Sequence, residues 1–493
     1  MNSLNWTVLS NKIIRVAWGL LLVTLPVTSF PYLPADLGGR TMVRPLSIYP
    51  LLILAVLATL PRLLKRPLPR TFLPILAFIV VATISSVAAF TTELDVLRGV
   101  TLTSRFIRNM GTLLMGLLFY LTVALLPETW DDLKFSLRWL YVGFALAFLW
   151  GSLQIVYVVH YVGYYFKWLN RLQSLISTRK LFTTRISGPT YEPKWFAEQI
   201  CFLLLPWLLG SVISGHSLFR WRFKWITVEW VLLAWASVVL VFTYSRTGLF
   251  TLVILVVLSY LIHRSSARHR VPAAKQTVSK KSLRLAEVAL IIVSLMAVLF
   301  VVGSQNPYFS RLWRYWTEAR SRNRTYLEYI AFEQRFVYWQ TAFRTFETYP
   351  LLGIGLGNYA FYFDEMLADQ PWDRQREIVR QITPSDGRDR LITPKNLYAR
   401  LLAETGLFGT ALFTAFLISV IGCMLFLWFS QAPDQKFWGT SGMLAMVVFA
   451  IVIFSFDSFA FPSMWIVFGL ITSAAHLADP SPQPVEAVLP EGA

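Results

Sequence analysis

Residues 284–316 read RLAEVALIIVSLMAVLFVVGSQNPYFSRLWRYW. The first part, 284–303, is long and apolar enough to cross a bilayer, which takes about 20 such residues. From Ser304 the character changes. Arg311, Trp313, Arg314 and Trp316 arrive within a few positions, and the polar, aromatic stretch continues to Lys395 with Arg320, Arg322, Arg324, Arg335, Trp339 and Arg344. Ordered loops this long tend to be functional. The reading of the chain therefore turns on what surrounds this segment and which face it occupies.

Outward from it, apolar runs recur. They predict twelve spans, at 13–31, 46–61, 71–90, 107–126, 137–159, 195–214, 225–243, 247–263, 284–303, 406–429, 437–456 and 463–478. The seventh and eighth are separated only by Thr243, Tyr244, Ser245 and Arg246. Pro26 and Pro206 fall inside predicted spans, where they are expected to kink the helix. The fold class is an all-α polytopic membrane protein of about twelve transmembrane helices. A large, partly helical loop joins the ninth and tenth. The expected organisation is 1–303 (nine spans), 304–396 (loop), 397–478 (three spans) and 479–493, a Pro- and Glu-rich disordered tail.

Composition agrees. The 493 residues are 56% hydrophobic and 15% charged, where soluble domains run near 25% charged. The net charge of +18 does not require nucleic acid, because most of the excess sits in short loops and obeys the positive-inside rule. Arg62, Lys65, Arg66 and Arg70 crowd one such loop; Arg220, Arg222 and Lys224 another; Arg264, Arg268, Arg270, Lys275, Lys280, Lys281 and Arg284 a third. With twelve spans and a cytoplasmic N-terminus, all three lie in the cytoplasm, and so does the C-terminus. Cys201 and Cys423 fall in apolar runs and suggest neither a disulfide framework nor a metal site. The first apolar run has no small-residue cleavage site and reads as a retained span.

This orientation puts three arginine-bearing features on the outer face: the 161–194 connection, the Ser245-Arg246 corner and the 304–396 loop. Short outer segments are normally poor in basic residues. Two explanations compete, interfacial snorkelling and an anion site at the membrane edge. Arg185 lies in TRISGPTYEP (184–193), just before the sixth span, and Arg246 opens a helix. Guanidinium forks and helix N-termini both suit phosphate oxygens. In the loop, Phe332, Phe336, Trp339, Phe343 and Phe346 recur at helical spacing and predict an amphipathic helix over 331–346 beside Arg335 and Arg344. Their stripe reads as an interfacial anchor. Gly353, Gly355 and Gly357 predict a sharp turn with close backbone approach. Asn396 opens a helix that carries Glu404 two turns into the membrane. An ionisable residue at that depth is a functional candidate, with an ion pair to an arginine as the structural alternative.

These motifs together resemble the O-antigen ligase and O-antigen polymerase family. The likeness rests on Arg185-Ile186-Ser187-Gly188 with Glu192-Pro193, on Ser245-Arg246-Thr247-Gly248-Leu249, on Arg335 through Trp339 to the turn at Pro350, Gly353, Gly355, Gly357, and on Asn396-Leu397-Tyr398 running into 403–409. They span about 185 to 409, in the family's order. The resemblance implies a metal-independent glycosyltransferase without cofactor in a bacterial inner membrane. It would take a glycan from undecaprenyl diphosphate at the outer face, with Arg185, Arg246 and Arg335 on the diphosphate. Membrane lipids are a partner, nucleic acid is not, and a chain-length regulator is a candidate partner. Ligases of the family usually carry a His before the Asn of the last motif; here that position is Lys395. The candidate catalytic residues are accordingly Lys395, Glu404 and Glu192. Glu192-Pro193 leans the reading towards a polymerase. A ligase is the alternative, and a twelve-helix transporter the alternative of another class.

Overall fold

The computed structural model describes residues 2–33, 42–224, 226–268, 303–304, 306–317, 325–330, 332–367, 377–379, 383 and 391–479. All but the last residue of the expected ninth span, Arg320, Arg322, Arg324 and nearly all of the expected tail lie outside these. The described residues are mostly helical, with one two-strand hairpin pairing Arg222–Phe223 with Ile226–Thr227. Its helices are α1 (Asn2–Thr24), α2 (Ile48–Lys65), α3 (Phe72–Ala88), α4 (Leu102–Leu125), α5 (Trp130–Val159), α6 (Gly163–Ile176), α7 (Pro193–Ser214), α8 (Val228–Phe242) and α9 (Arg246–Arg268). Then come α10 (Pro307–Arg314), α11 (Tyr326–Tyr329), α12 (Glu333–Thr348), α13 (Tyr359–Tyr362), α14 (Leu397–Trp428), α15 (Pro433–Val452) and α16 (Pro462–Ala478).

Among the described residues, eight helices are long and apolar enough to cross a membrane: α2 to α5, α7, α9, α14 and α15. α8 and α16 are shorter apolar helices. The outward faces of the long helices remain apolar, with Val56, Leu73, Val80, Leu146 and Phe250 all exposed, as helices in lipid require. α7 differs. Its span is 89% buried, against 28% for α14 and 39% for α5, so it stands at the centre of the bundle. The loop-bearing end of the bundle therefore meets the start of α7, where Glu192, Lys194 and Glu198 lie.

Local chemistry fixes the helix ends. Thr129 and Asp132 form a reciprocal capping box at α5, and Thr101 caps α4. Pro26 does not kink a span. α1 stops at Thr24, because proline disfavours helical conformation in the residue before it. Pro206 does fall at an irregularity, directly after a widened turn at Ile200–Leu204 in α7. α12 occupies Glu333–Thr348, two residues later than the aromatic spacing predicts.

Two sets of contacts mark the two ends. At one, Lys134 pairs with Asp434 at 3.2 Å and Arg62 with Glu128 at 2.7 Å. At the other, Ser85 donates to Leu352 O, Arg105 to Gly357 O, and Thr247 Oγ1 lies 3.5 Å from Ser455 Oγ. The described parts of 303–396 pack over this second end.

Candidate functional site at the loop-bearing end

The glycine turn is half of an interlock. Gly353, Gly355 and Gly357 all have positive φ, at 68°, 88° and 87°, a region open to glycine without steric cost. Opposite them α14 is broken at Gly406, with φ 61° and ψ −161°. The turn enters the break. Leu407 and Phe408 N–H donate to Pro350 O and Leu351 O at 2.8 and 3.2 Å, and Ile354 N–H donates to Ala403 O at 3.1 Å. A Cβ on Gly353 would stand 2.6 Å from Ala403 O, and one on Gly406 2.4 Å from Leu351 O. Each glycine is therefore required by the backbone of the other segment.

Charge seals this interlock. Asn396 caps α14 through Ala399 N–H at 3.1 Å. Glu404 is completely buried, and its Oε2 accepts from Gly357 N–H and from Arg400 Nε, both at 2.7 Å. Arg400 also donates to Asp457 O at 2.6 Å and Asn109 Oδ1 at 3.3 Å. Arg105 donates through Nε to Gly357 O at 2.9 Å. Glu404 thus holds a turn and a helix together, paired with an arginine of its own helix four residues earlier.

A second arginine cluster is built differently. Ser187 and Gly188 N–H both donate to Gln154 Oε1 at 3.0 Å, which clamps the 184–192 connection to α5. Arg185 projects from it. Its guanidinium carbon stands 4.8 Å from the Phe182 ring centre and 4.3 Å from that of Tyr308. Arg179 lies 4.6 Å from Phe182, and Arg246 lies 5.6 Å from Tyr308. The result is a ladder, Arg179–Phe182–Arg185–Tyr308–Arg246, in which aromatic rings separate like charges. Asn306 fixes its middle rung: Nδ2 donates to Thr184 O at 2.6 Å while Oδ1 caps α10. Arg246 opens α9, donates through NH1 to Ile330 O at 3.2 Å, and leaves its buried Nε without a partner. Glu192 closes the other end, accepting from Arg179 NH1 at 2.9 Å with a side chain 38% exposed.

Lys395 adjoins the interlock through Asp457. Its φ is 53°, unusual for a non-glycine residue. Asp457 Oδ2 accepts its N–H at 2.8 Å, and its carbonyl accepts from Arg335 NH1 at 3.3 Å. Its Nζ pairs with Glu377 and lies 4.6 Å from the Tyr338 ring centre. Burial alone pushes the Glu377 carboxyl up. The Lys395 ammonium, with the Tyr338 hydroxyl and Arg335, outweighs burial and holds it below its ordinary value. Lys194 pairs with the buried Glu198 at 3.3 Å and also donates to Ser455 O. Ser455 in turn meets Thr247, next to Arg246.

Residues 231–414 match the family model described as O-antigen ligase. The match agrees with the O-antigen ligase and polymerase family to which the motifs point. Members of that family are membrane glycosyltransferase-like enzymes acting on lipid-linked glycans. Together with the apolar helices it indicates a bacterial membrane protein of O-antigen ligase or polymerase type. No curated protein matches the chain.

The matched O-antigen ligase region contains Arg246, Arg335, the glycine turn, Lys395, Asn396 and Glu404, and leaves Arg185 and Glu192 before it. The structure brings Arg185 and Arg246 to one ring and puts Arg335 against Lys395. It places Gly353, Gly355, Gly357 and Glu404 together in the interlock. Sequence reasoning passed over Arg179, Phe182, Tyr308, Arg105, Arg400, Glu377 and Asp457. Arg105 and Arg400 carried a usable signal, as charges within or beside apolar spans. The ring partners carried none, since aromatic residues are everywhere in this chain.

Proposed function

We propose that the protein is a polysaccharide polymerase. It moves a growing glycan from undecaprenyl diphosphate to a second lipid-linked repeat unit at the outer face of the bacterial inner membrane. The loop charges support that orientation. The observation that carries the reading is the ladder. Arg185 and Arg246 share Tyr308, neither is ion-paired with a carboxylate among the described residues, and Arg246 Nε is buried and unpartnered. Such an arrangement is costly without an anion and suits a diphosphate.

In the reaction an acceptor hydroxyl oxygen bonds to the anomeric carbon of the donor sugar. The bond from that carbon to the diphosphate oxygen breaks, and its electron pair leaves with the diphosphate. The hydroxyl proton passes to a base. Arg185 and Arg246 stabilise the added negative charge more in the transition state than in the ground state. Glu192 is the base we favour: it is paired with Arg179, but its carboxylate is 38% exposed and lies at the end of the ladder. Glu404 is fully buried against Arg400, and Lys395 sits as an ammonium against Glu377. Reconstitution with lipid-linked repeat units tests the reaction: a product ladder supports the polymerase, and the absence of any transfer refutes it. The match to a family model described as a ligase favours a second reading, transfer to a different lipid or protein acceptor. A single transfer to such an acceptor in the same assay would establish it.

A further inference from the structure

We propose that Arg311 of α10 is a third guanidinium of the diphosphate site and recognises the terminal phosphate of the departing polyprenyl diphosphate. The inference rests on the diphosphate reading above and adds a residue that none of the four motifs contains. α10 is tied to the Arg185 connection by Asn306, whose Nδ2 donates to Thr184 O at 2.6 Å. Tyr308, two residues on, receives both Arg185 and Arg246. Arg311 follows Tyr308 by three residues and so lies on the same face of the helix. It also meets the other boundary of the site. Its guanidinium carbon is 5.2 Å from the Tyr329 ring centre, while Arg246 donates to the carbonyl of the neighbouring Ile330. Arg246 and Arg311 therefore converge on the same two places, α10 and the end of α11.

None of the three arginines is ion-paired with a carboxylate among the described residues. Arg311 is exposed, so its side chain can close on a ligand held by the other two. Charge gives the third group its purpose. A diphosphate bonded at both ends carries one negative charge on each phosphate. When the sugar leaves, the terminal phosphate gains another. Two guanidinium groups match the bound donor; a third matches the product-like transition state and the leaving group.

The test uses the full chain in lipid nanodiscs, with polyprenyl diphosphate and polyprenyl monophosphate of equal chain length as inhibitors of glycan transfer. The unaltered protein is expected to bind the diphosphate at least tenfold more tightly than the monophosphate. Arg311→Gln is expected to lose about tenfold or more in diphosphate affinity with monophosphate affinity unchanged, and Arg311→Lys to recover part of it. Arg314→Gln, an exposed arginine on the same helix, is expected to leave the ratio alone. If Arg311→Gln keeps the ratio of the unaltered protein, or Arg314→Gln lowers it equally, the assignment of Arg311 is overturned. If the unaltered protein does not distinguish the two lipids, the diphosphate site itself falls, and Arg311 with it.

Discussion

Two regions of this end of the bundle are rich in arginine and are put together in opposite ways. In the interlock, Arg105 and Arg400 face Glu404 and Asp457, and nearly every donor ends on a carboxylate, a carbonyl or an amide. In the ladder, Arg179, Arg185 and Arg246 have one carboxylate between them among the described residues, Glu192, and are otherwise separated by rings. Buried charge paired across the turn and α14 holds backbone segments in place, with Glu404 Oε1 left without a hydrogen-bond partner among the described residues. Stacked charge without a carboxylate is, on the proposed function, held ready for a ligand. On that proposed function, the contrast separates arginines that serve the fold from those that serve the chemistry, which a count of basic residues cannot do.

The largest effect should come from the interlock. Glu404→Ala leaves Arg400 buried and unpaired, and removing one partner of a buried pair costs about 3–5 kcal/mol. Thermal melting in detergent should show a large loss of stability; an unchanged midpoint would mean that Glu404 does not hold the turn. The ladder should respond the other way. Arg185→Ala and Arg246→Ala should each lower glycan transfer by about 10²–10³, typical of losing one donor to developing negative charge. The melting midpoint should scarcely move. Full activity in both variants would remove the ladder from the chemistry. Gly353→Ala comes next. Its Cβ would meet Ala403 O at 2.6 Å in a left-handed backbone, and such overpacking costs about 1–3 kcal/mol. A neutral result would show that the turn is not locked into α14.

Much of this was legible in the sequence, and the reasons are local. Hydropathy found the eight long and two shorter apolar helices of the described residues, helical spacing found α12, and three spaced glycines announced a turn. Asn396 was readable as the start of α14 because a cap and its helix are adjacent in sequence. What the turn does was not readable. Gly357 meets Arg105 across 252 positions and Glu404 across 47, and no periodicity links such segments. Glu404 was readable both as a functional candidate and as half of an ion pair, and the structure pairs it with Arg400 of its own helix. Arg185 and Arg246 were found as isolated basic residues on the wrong side for the positive-inside rule. Their convergence needed Tyr308, which sits in another segment altogether.

Lys395 is the residue that sharpens the comparison, because it joins Arg335 and Glu377 of the loop to Asp457 beside the interlock. Arg335 reaches its carbonyl from one side, and Asp457, whose own carbonyl accepts from Arg400, takes its N–H on the other. Its pairing with Glu377 favours a structural role. The Glu377 carboxyl is held below its ordinary value of 4.5, so the pair contributes stability above that pH and loses it as pH falls through the lowered value. Both side chains are about a third exposed, so screening limits the contribution to about 0.2–1 kcal/mol. Melting curves of the unaltered protein and Glu377→Gln should differ slightly at neutral pH and converge at acid pH. Lys395→Ala should then keep near-normal transfer, because an ammonium already committed to a carboxylate is a poor proton acceptor. Should Lys395→Ala instead abolish transfer while Glu377→Gln does not, the ammonium belongs to the ladder, and this chain has replaced a neutral base with a cation that holds phosphate.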